Sequence, residues 1–278
     1  MTFEDELRST KHPTVDGHTH VDQYDAPDLE GLLERASLAN VGLIVAAGTT
    51  VASCERVVEL ANVHPIIKAG IGLHPEYLEG PLDDSTAEHL RELAMQPEVV
   101  EWSECGLDYM PYSPDKSMQH DVLRIQIRIA RELGLPLVTH SREADDDTVR
   151  ILREEHAEDV GGAWHYFGGS LHLAETALDL GFRISLAKPL LREEPLQQVA
   201  AQLSMDNIVI ETDSYPQPFK KNWLRRTEPW HLPQVAEKLA ELQGIDVEDV
   251  ARITTANYLR MLRGKVSPES LPLPVQST

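Results

Sequence analysis

Two histidines one residue apart, His18 and His20, lie in the stretch Val15-Asp16-Gly17-His18-Thr19-His20-Val21-Asp22. Alternate side chains of an extended strand share a face, so Asp16, His18 and His20 are expected to point the same way. Two imidazoles placed like this can grip one metal ion, with Asp16 below them to orient a ring through its N–H. A chain with 12 histidines also produces a His-x-His by chance, so the pair needs support from elsewhere.

That support is spread along the chain. His74, Glu104, His140, His165 and Asp213 each follow or close an apolar run that reads as a buried strand. With His18 and His20 they make up the imidazole and carboxylate mixture that suits divalent ions such as Zn²⁺, Mn²⁺ or Mg²⁺. Six of these seven residues taken as ligands are already too many for one tetrahedral ion. Two ions about 3.5–4 Å apart, bridged by a carboxylate and a water, would use them all, and such pairs cleave phosphodiesters by clamping the attacking and leaving oxygens. In that chemistry Asp213 takes the proton of the shared water, and the hydroxide attacks phosphorus. Arg142, two residues beyond His140 on the same strand face, can bring its guanidinium fork to a phosphoryl oxygen. Lys220-Lys221-Asn222-Trp223-Leu224-Arg225-Arg226 interleaves an aromatic with bases and suits backbone phosphates and a stacked base; the plainer reading is a solvated loop.

Other groups get the plainer reading. Asp145-Asp146-Asp147 is a first helical turn, favourable to the helix dipole. Asp16 and Glu211 are read as support for the site or buried barrel partners. His64, His89, His120, His156, His172 and His231 receive no role, Trp102 is read as packed, and Gly106 as the residue that lets the fourth-strand loop turn tightly.

The elements that must hold these residues alternate. Strands are expected at 14–20, 42–48, 65–73, 98–106, 135–141, 162–167, 182–187 and 207–212. Helices are expected over 27–40, 51–62, 84–95, 115–133, 143–156, 170–180 and 193–203, with the last helices within 229–263. Eight such units in one chain favour a closed (β/α)8 TIM barrel with additional C-terminal helices, and the candidate ligands fall at the C-terminal ends of its strands, where barrel chemistry sits. Residues 1–264 are read as this single domain and 265–278, with three prolines, as a disordered or surface-tracking tail.

Composition narrows the classes. A hydrophobic content of 41% fits an ordinary globular chain, and no apolar run nears the roughly 18 residues that span a membrane. The acidic opening Met1-Thr2-Phe3-Glu4-Asp5-Glu6 is unlike a secretory signal, so a cytoplasmic protein is expected. Cys54 and Cys105 form no CxxC and are expected to be small buried hydrophobes. The 46 acidic and 25 basic residues leave a net charge of −21. Such a charge alone argues against a nucleic-acid partner. It also fits adaptation to concentrated salt, where the Debye length shrinks to about 3 Å near 1 M, and a halophilic source is therefore expected.

Several blocks in order resemble the TatD-type metal-dependent hydrolases, known as deoxyribonucleases, within the amidohydrolase-like barrels. They are Asp16-Gly17-His18-Thr19-His20, Gly70-Ile71-Gly72-Leu73-His74-Pro75, Glu104-Cys105-Gly106-Leu107-Asp108-Tyr109, Leu135 through Ala144, His165-Tyr166-Phe167-Gly168-Gly169, Glu211-Thr212-Asp213-Ser214 and Thr254-Thr255-Ala256-Asn257. The resemblance implies that His18, His20 and Asp213 hold one ion, that His140 and His165 hold the other, and that Glu104 bridges them. It further implies that His74 and Arg142 contact substrate phosphate. Cys105 replaces a usual aliphatic residue, and Tyr166 and Gly168 stand where the family has Cys and Ser, which removes no ligand but alters the pocket floor.

The expected function is thus a metal-dependent hydrolase using two divalent ions to cleave DNA, with RNA as the other candidate, as a 3′–5′ exonuclease or an endonuclease acting through a metal-activated hydroxide. The alternatives are a carboxylic ester or amide hydrolase and a D-aminoacyl-tRNA deacylase. Nothing in the sequence calls for a protein partner.

Overall fold

The apolar runs pair with their neighbours in chain order. The strands of the computed structural model, which describes residues 2–272, are β1 (Thr14–Thr19), β2 (Val41–Ala47), β3 (Ile67–Gly70), β4 (Val99–Asp108), β5 (Leu137–Arg142), β6 (Gly162–Trp164), β7 (Phe182–Leu186) and β8 (Ile208–Ile210). Each is parallel to the next. The ring closes between β8 and β1, where Asp213 N–H donates to the His18 carbonyl (3.0 Å) and His20 N–H to that of Ser214 (2.7 Å). The closed (β/α)8 barrel is therefore present.

A short α1 (Phe3–Glu6) precedes the barrel, and one helix follows each of the first seven strands: α2 (Ala26–Leu38), α3 (Val51–Val63), α4 (Asp84–Ala94), α5 (Lys116–Leu133), α6 (Asp145–Glu154), α7 (Leu171–Asp179) and α8 (Glu194–Ala200). The starts of α2, α3, α4, α5 and α7 are fixed by Asp25, Thr50, Asp83, Asp115 and Ser170, whose side chains accept first-turn N–H groups. The last helices, expected within 229–263, are α9 (Leu232–Gln243) and α10 (Val247–Met261), separated where Gly244 takes a left-handed φ of +67° and Asp246 caps a new start.

Two apolar layers result. The larger lies between the strands and the surrounding helices and contains Leu32, Ile44, Ile67, Trp102, Ile127 and Phe182. The smaller contains Val15, Leu43, Val45, Val100, Val138, Ala163 and Val209, packed with Tyr258, Leu259 and Leu262 of α10. Hence α10 plugs the barrel beneath the site. Of the tail, Val266 is buried in this cluster and Leu271 packs against it, whereas 273–278 lie outside the described residues. Cys54 and Cys105 are buried and unpaired. No helix among the described residues is long and apolar enough to cross a membrane.

Candidate metal centre

His18 and Glu104 both sit where a strand slips by one residue. Asp16 and Thr19, three apart on β1, pair with Ile44 and Ala46, two apart on β2. Likewise Trp102 and Cys105 on β4 pair with Leu137 and Thr139 on β5. Such bulges re-aim side chains. In β1 the slip breaks the alternation expected to put Asp16 with the histidines. Asp16 instead accepts the Thr212 N–H (2.8 Å) and Oγ–H (2.6 Å), tying β1 to the end of β8, and it orients no imidazole.

Glu104 is the hub. Its Oε2 lies 3.3 Å from His18 Nε2 and 3.6 Å from His20 Nε2, while its Oε1 lies 2.9 Å from His140 Nδ1, 3.6 Å from His165 Nε2 and 3.5 Å from His74 Nε2. Asp213 Oδ1 lies 3.4 Å from His20 Nε2. Each carboxylate oxygen thus faces its own set of imidazoles, and Asp213 joins the Oε2 side. Ligand atoms converge in three overlapping groups, His18–Glu104–His165, His18–His20–Asp213 and His74–Glu104–His140. The residues fit a metal on a second count: neither ring nitrogen of fully buried His18 makes an aligned hydrogen bond, although Glu104 lies beside Nε2. An imidazole stripped of water and left unsatisfied is costly, and a cation on its nitrogen would remove that cost.

Neighbouring carboxylates select which nitrogen each ring turns inward. His165 Nδ1 lies 2.8 Å from Glu211 Oε1, which leaves Nε2 facing Glu104. His140 Nε2 lies 3.1 Å from Asp108 Oδ2, which leaves Nδ1 inward. The Asp108 hydrogen bond fixes the His140 tautomer as the outer partners of metal-bound imidazoles do, whereas Glu211 meets His165 as an ion pair without hydrogen-bond alignment. His74 differs. Its Nδ1 accepts the Glu76 N–H (3.1 Å), and burial holds the ring's pKa down at about 3, so the neutral ring carries its hydrogen on Nε2. A nitrogen bearing hydrogen is a donor rather than a ligand, so His74 offers the cleft a hydrogen-bond donor despite its place in a convergent group.

The electrostatics follow the packing. Burial lowers the His18 pKa, helped by the charge of His165. Burial also opposes charge on His20 and His165, but Asp213 and Glu104 carry His20 up to about 9, and Glu211 and Glu104 carry His165 up to about 10. Burial would raise Asp213, yet His20 and His165 bring it down to about 2, so it is ionised throughout the neutral range. Below the site, burial lifts Glu101 to about 8. Protonated Glu101 can donate to the Tyr258 hydroxyl (2.7 Å), which in turn donates to the Gly17 carbonyl (2.6 Å).

Helix α5 braces the surrounding loops. Gln126 accepts from Leu73 N–H (2.8 Å) and Trp102 Nε1 (3.0 Å), fixing the approach to His74. Gln119 accepts the Asp108 N–H (2.8 Å) and donates to its carbonyl (2.7 Å). Gly106 is not a loop turn: it lies within β4 at φ +155°, and a Cβ there would stand 1.9 Å from the His140 carbonyl oxygen. Arg142 reaches the rim of the cleft, but its Nη2 is 2.6 Å from Asp108 and 2.9 Å from Glu76, leaving Nε without a partner. The cleft, of about 600 Å³, is walled by His20, His74, Glu104, His140, His165 and Asp213.

The model of the "TatD related DNase" family matches residues 15–263. The chain belongs to this family. It is 36% identical over 251 residues to the "uncharacterized metal-dependent hydrolase YabD" of Bacillus subtilis, covering 88% of this chain and 96% of that one. It is 32% identical over 270 residues to "deoxyribonuclease TATDN3" of Homo sapiens, covering 92% and 96%. Among solved structures, the TatD homologue YJJV of Escherichia coli K12 superposes with a TM-score of 0.81 at 28% identity, covering 91% of this chain and 98% of that one. A TatD-family chain is a metal-dependent hydrolase, and the candidate ligands named from the sequence gather around Glu104, with His18 buried behind the others that line the cleft.

Two roles are not visible in the sequence. Asp108 has no role there beyond its place in a family-like block, yet it sits beside His140 and Arg142 alike. Trp223 reads as a stacking surface, but its ring is stacked on Phe3 (6.2 Å) and covered by the Arg35 guanidinium (5.3 Å). Asp145 and Asp147 of the acidic first turn are partly engaged: Asp145 accepts from Ser141 Oγ (2.6 Å), and Asp147 from Tyr109 (2.6 Å) and Arg150 (2.7 Å).

Proposed function

We propose that this TatD-family hydrolase cleaves phosphodiester bonds of DNA with a pair of divalent ions. Glu104 carries the reading, because a carboxylate whose two oxygens face different imidazole sets has the form of a bridge. His18, His20 and Asp213 would hold one ion, and His140 and His165 the other, with Glu104 common to both. Such a pair supplies acidity to a shared water and charge to the attacking and leaving oxygens.

The chain's own residues do the rest. Asp213 is ionised and 21% exposed in its side chain, so it can receive the water's proton at the cleft wall. His74 offers its Nε2 hydrogen to a phosphoryl oxygen. Arg142, whose Nη2 is held by Asp108 and Glu76 and whose side chain is 40% exposed, brings its guanidinium to the rim. Its net charge is largely offset by those two acids, so its contribution is directional more than coulombic.

The assay that tests this compares single-stranded DNA, a D-aminoacyl-tRNA and a neutral carboxylic ester, each with metal and with chelator. Chelator-sensitive cleavage of DNA well above the other two is the expected result. An ester or aminoacyl-tRNA turned over much faster than any nucleic acid rejects the phosphodiesterase reading.

A further inference from the structure

The metal cleft does not end at Asp213. A second cavity of about 850 Å³ shares Tyr166, Asp213 and Tyr215 with it, so the two form one trough. The far end is cationic. Lys188 and Arg192, from the connection between β7 and α8, line it together with Lys220, Lys221 and Arg225, from the connection between β8 and α9. Among the described residues, Glu6 and Asp213 are the only acids on its wall. In a chain of net charge −21 that concentration of bases is out of character.

Nor are these bases neutralised in place. Arg192 has its neighbour Glu193 at 3.7 Å, both well exposed, and such pairs count for little. Lys188 is partly buried, and burial with the charges of Lys220 and Arg192 pulls its pKa down to about 8. Cations held together against their own repulsion call for an anion between them. The junction adds a second feature. Tyr166 and Tyr215 are 42% and 38% exposed there, large enough faces for a planar ring to stack on. Tyr166 is fixed in a left-handed conformation (φ +46°) by its N–H to Glu211 Oε1 (2.7 Å), which presents the ring next to His165 just past the end of β6. Stacking faces beside a cationic groove are what a single strand of nucleic acid requires.

We propose that this cavity is a phosphate subsite: one nucleotide of a single strand lays its base on Tyr166 and Tyr215, and the next phosphate along the strand enters between Lys188, Arg192 and Lys220. The inference rests on the phosphodiesterase reading and adds to it a substrate with a second phosphate beside the scissile one.

The metal-loaded protein is assayed on thymidylyl-thymidine, which has a single phosphate, and on its 3′- and 5′-phosphorylated forms, alongside the Lys188→Gln/Lys220→Gln variant. One phosphorylated form should have kcat/KM about tenfold or more above the unphosphorylated one, the worth of a charge-assisted hydrogen bond, and the variant should lose that preference through KM. In a separate arm, fluorescent oligothymidylate is bound to both proteins in chelator while salt is varied. The variant's log–log slope should be shallower by about 0.7 for each phosphate it no longer neutralises. A variant with wild-type melting temperature, unchanged preference and unchanged slope overturns the subsite. If the wild type cleaves no phosphodiester, the reading of the reaction fails, and the binding arm alone still decides the subsite: a shallower slope supports it and an equal slope overturns it.

Discussion

Glu211 and Asp108 decide how the imidazoles behave before any ion arrives. In the metal-free protein burial disfavours charge on His20 and His165, but the facing carboxylates outweigh it and hold them near 9 and 10, so both rings are charged at pH 7. A ligating nitrogen must be unprotonated, so metal uptake at pH 7 should release up to about two protons per chain. Calorimetry in buffers of different ionisation enthalpy measures that number, and zero release would contradict the assignment. The same shifts set a stability profile. A histidine pKa raised on folding stabilises fully below the unfolded value of about 6.5, and that stability is lost as pH rises through the folded value. The metal-free protein should therefore melt progressively lower from pH 6 to 10, and the metal-loaded protein should lose less. Which residues are candidate ligands was legible because imidazoles and carboxylates followed apolar runs. Which nitrogen each ring presents was not, since that depends on Asp108 lying across β5 and Glu211 lying beside β6.

At the scale of elements, the barrel was readable because eight apolar runs alternate with amphipathic helices, and the candidate ligands fall at one end of them. The two bulges were not readable. A bulge is a mismatch between two strands, and His18 and Glu104 look in sequence like ordinary members of period-two runs. The strands β6 and β8 are shorter than their apolar runs for a related reason: Tyr166 and Asp213 adopt left-handed conformations (φ +46° and +52°) that interrupt the regular ladder, although neither is glycine and single backbone bonds continue beyond them at Phe167 and Ser214. The floor of the site was equally hidden, because Tyr258 meets Gly17 and Glu101 only when α10 plugs the barrel. Tyr258→Phe should cost about 1–3 kcal/mol, the value of leaving a buried carbonyl and carboxyl short of a partner. Chemical denaturation measures it, and a neutral substitution would show that α10 supports the barrel by packing alone.

The whole molecule carries 46 acidic residues against 25 basic ones, and a cluster of the basic ones lines one trough beside the metal cleft. Excess acid of that size repels itself, and salt relieves the repulsion. We expect the melting temperature to rise from dilute buffer into molar KCl, and a flat or falling curve would reject salt adaptation as the origin of the charge. Relatives that share the barrel and the family do not by themselves fix how many ions work in it, and the proposed reaction depends on Glu104 serving a pair. Metal content per chain, measured alongside DNA cleavage for the wild type and Glu104→Gln, tests it most directly. Two ions at full activity are expected in the wild type, and in the variant a folded barrel with weakened binding and no cleavage. Full activity with a single ion bound, or undiminished cleavage by Glu104→Gln, would contradict it.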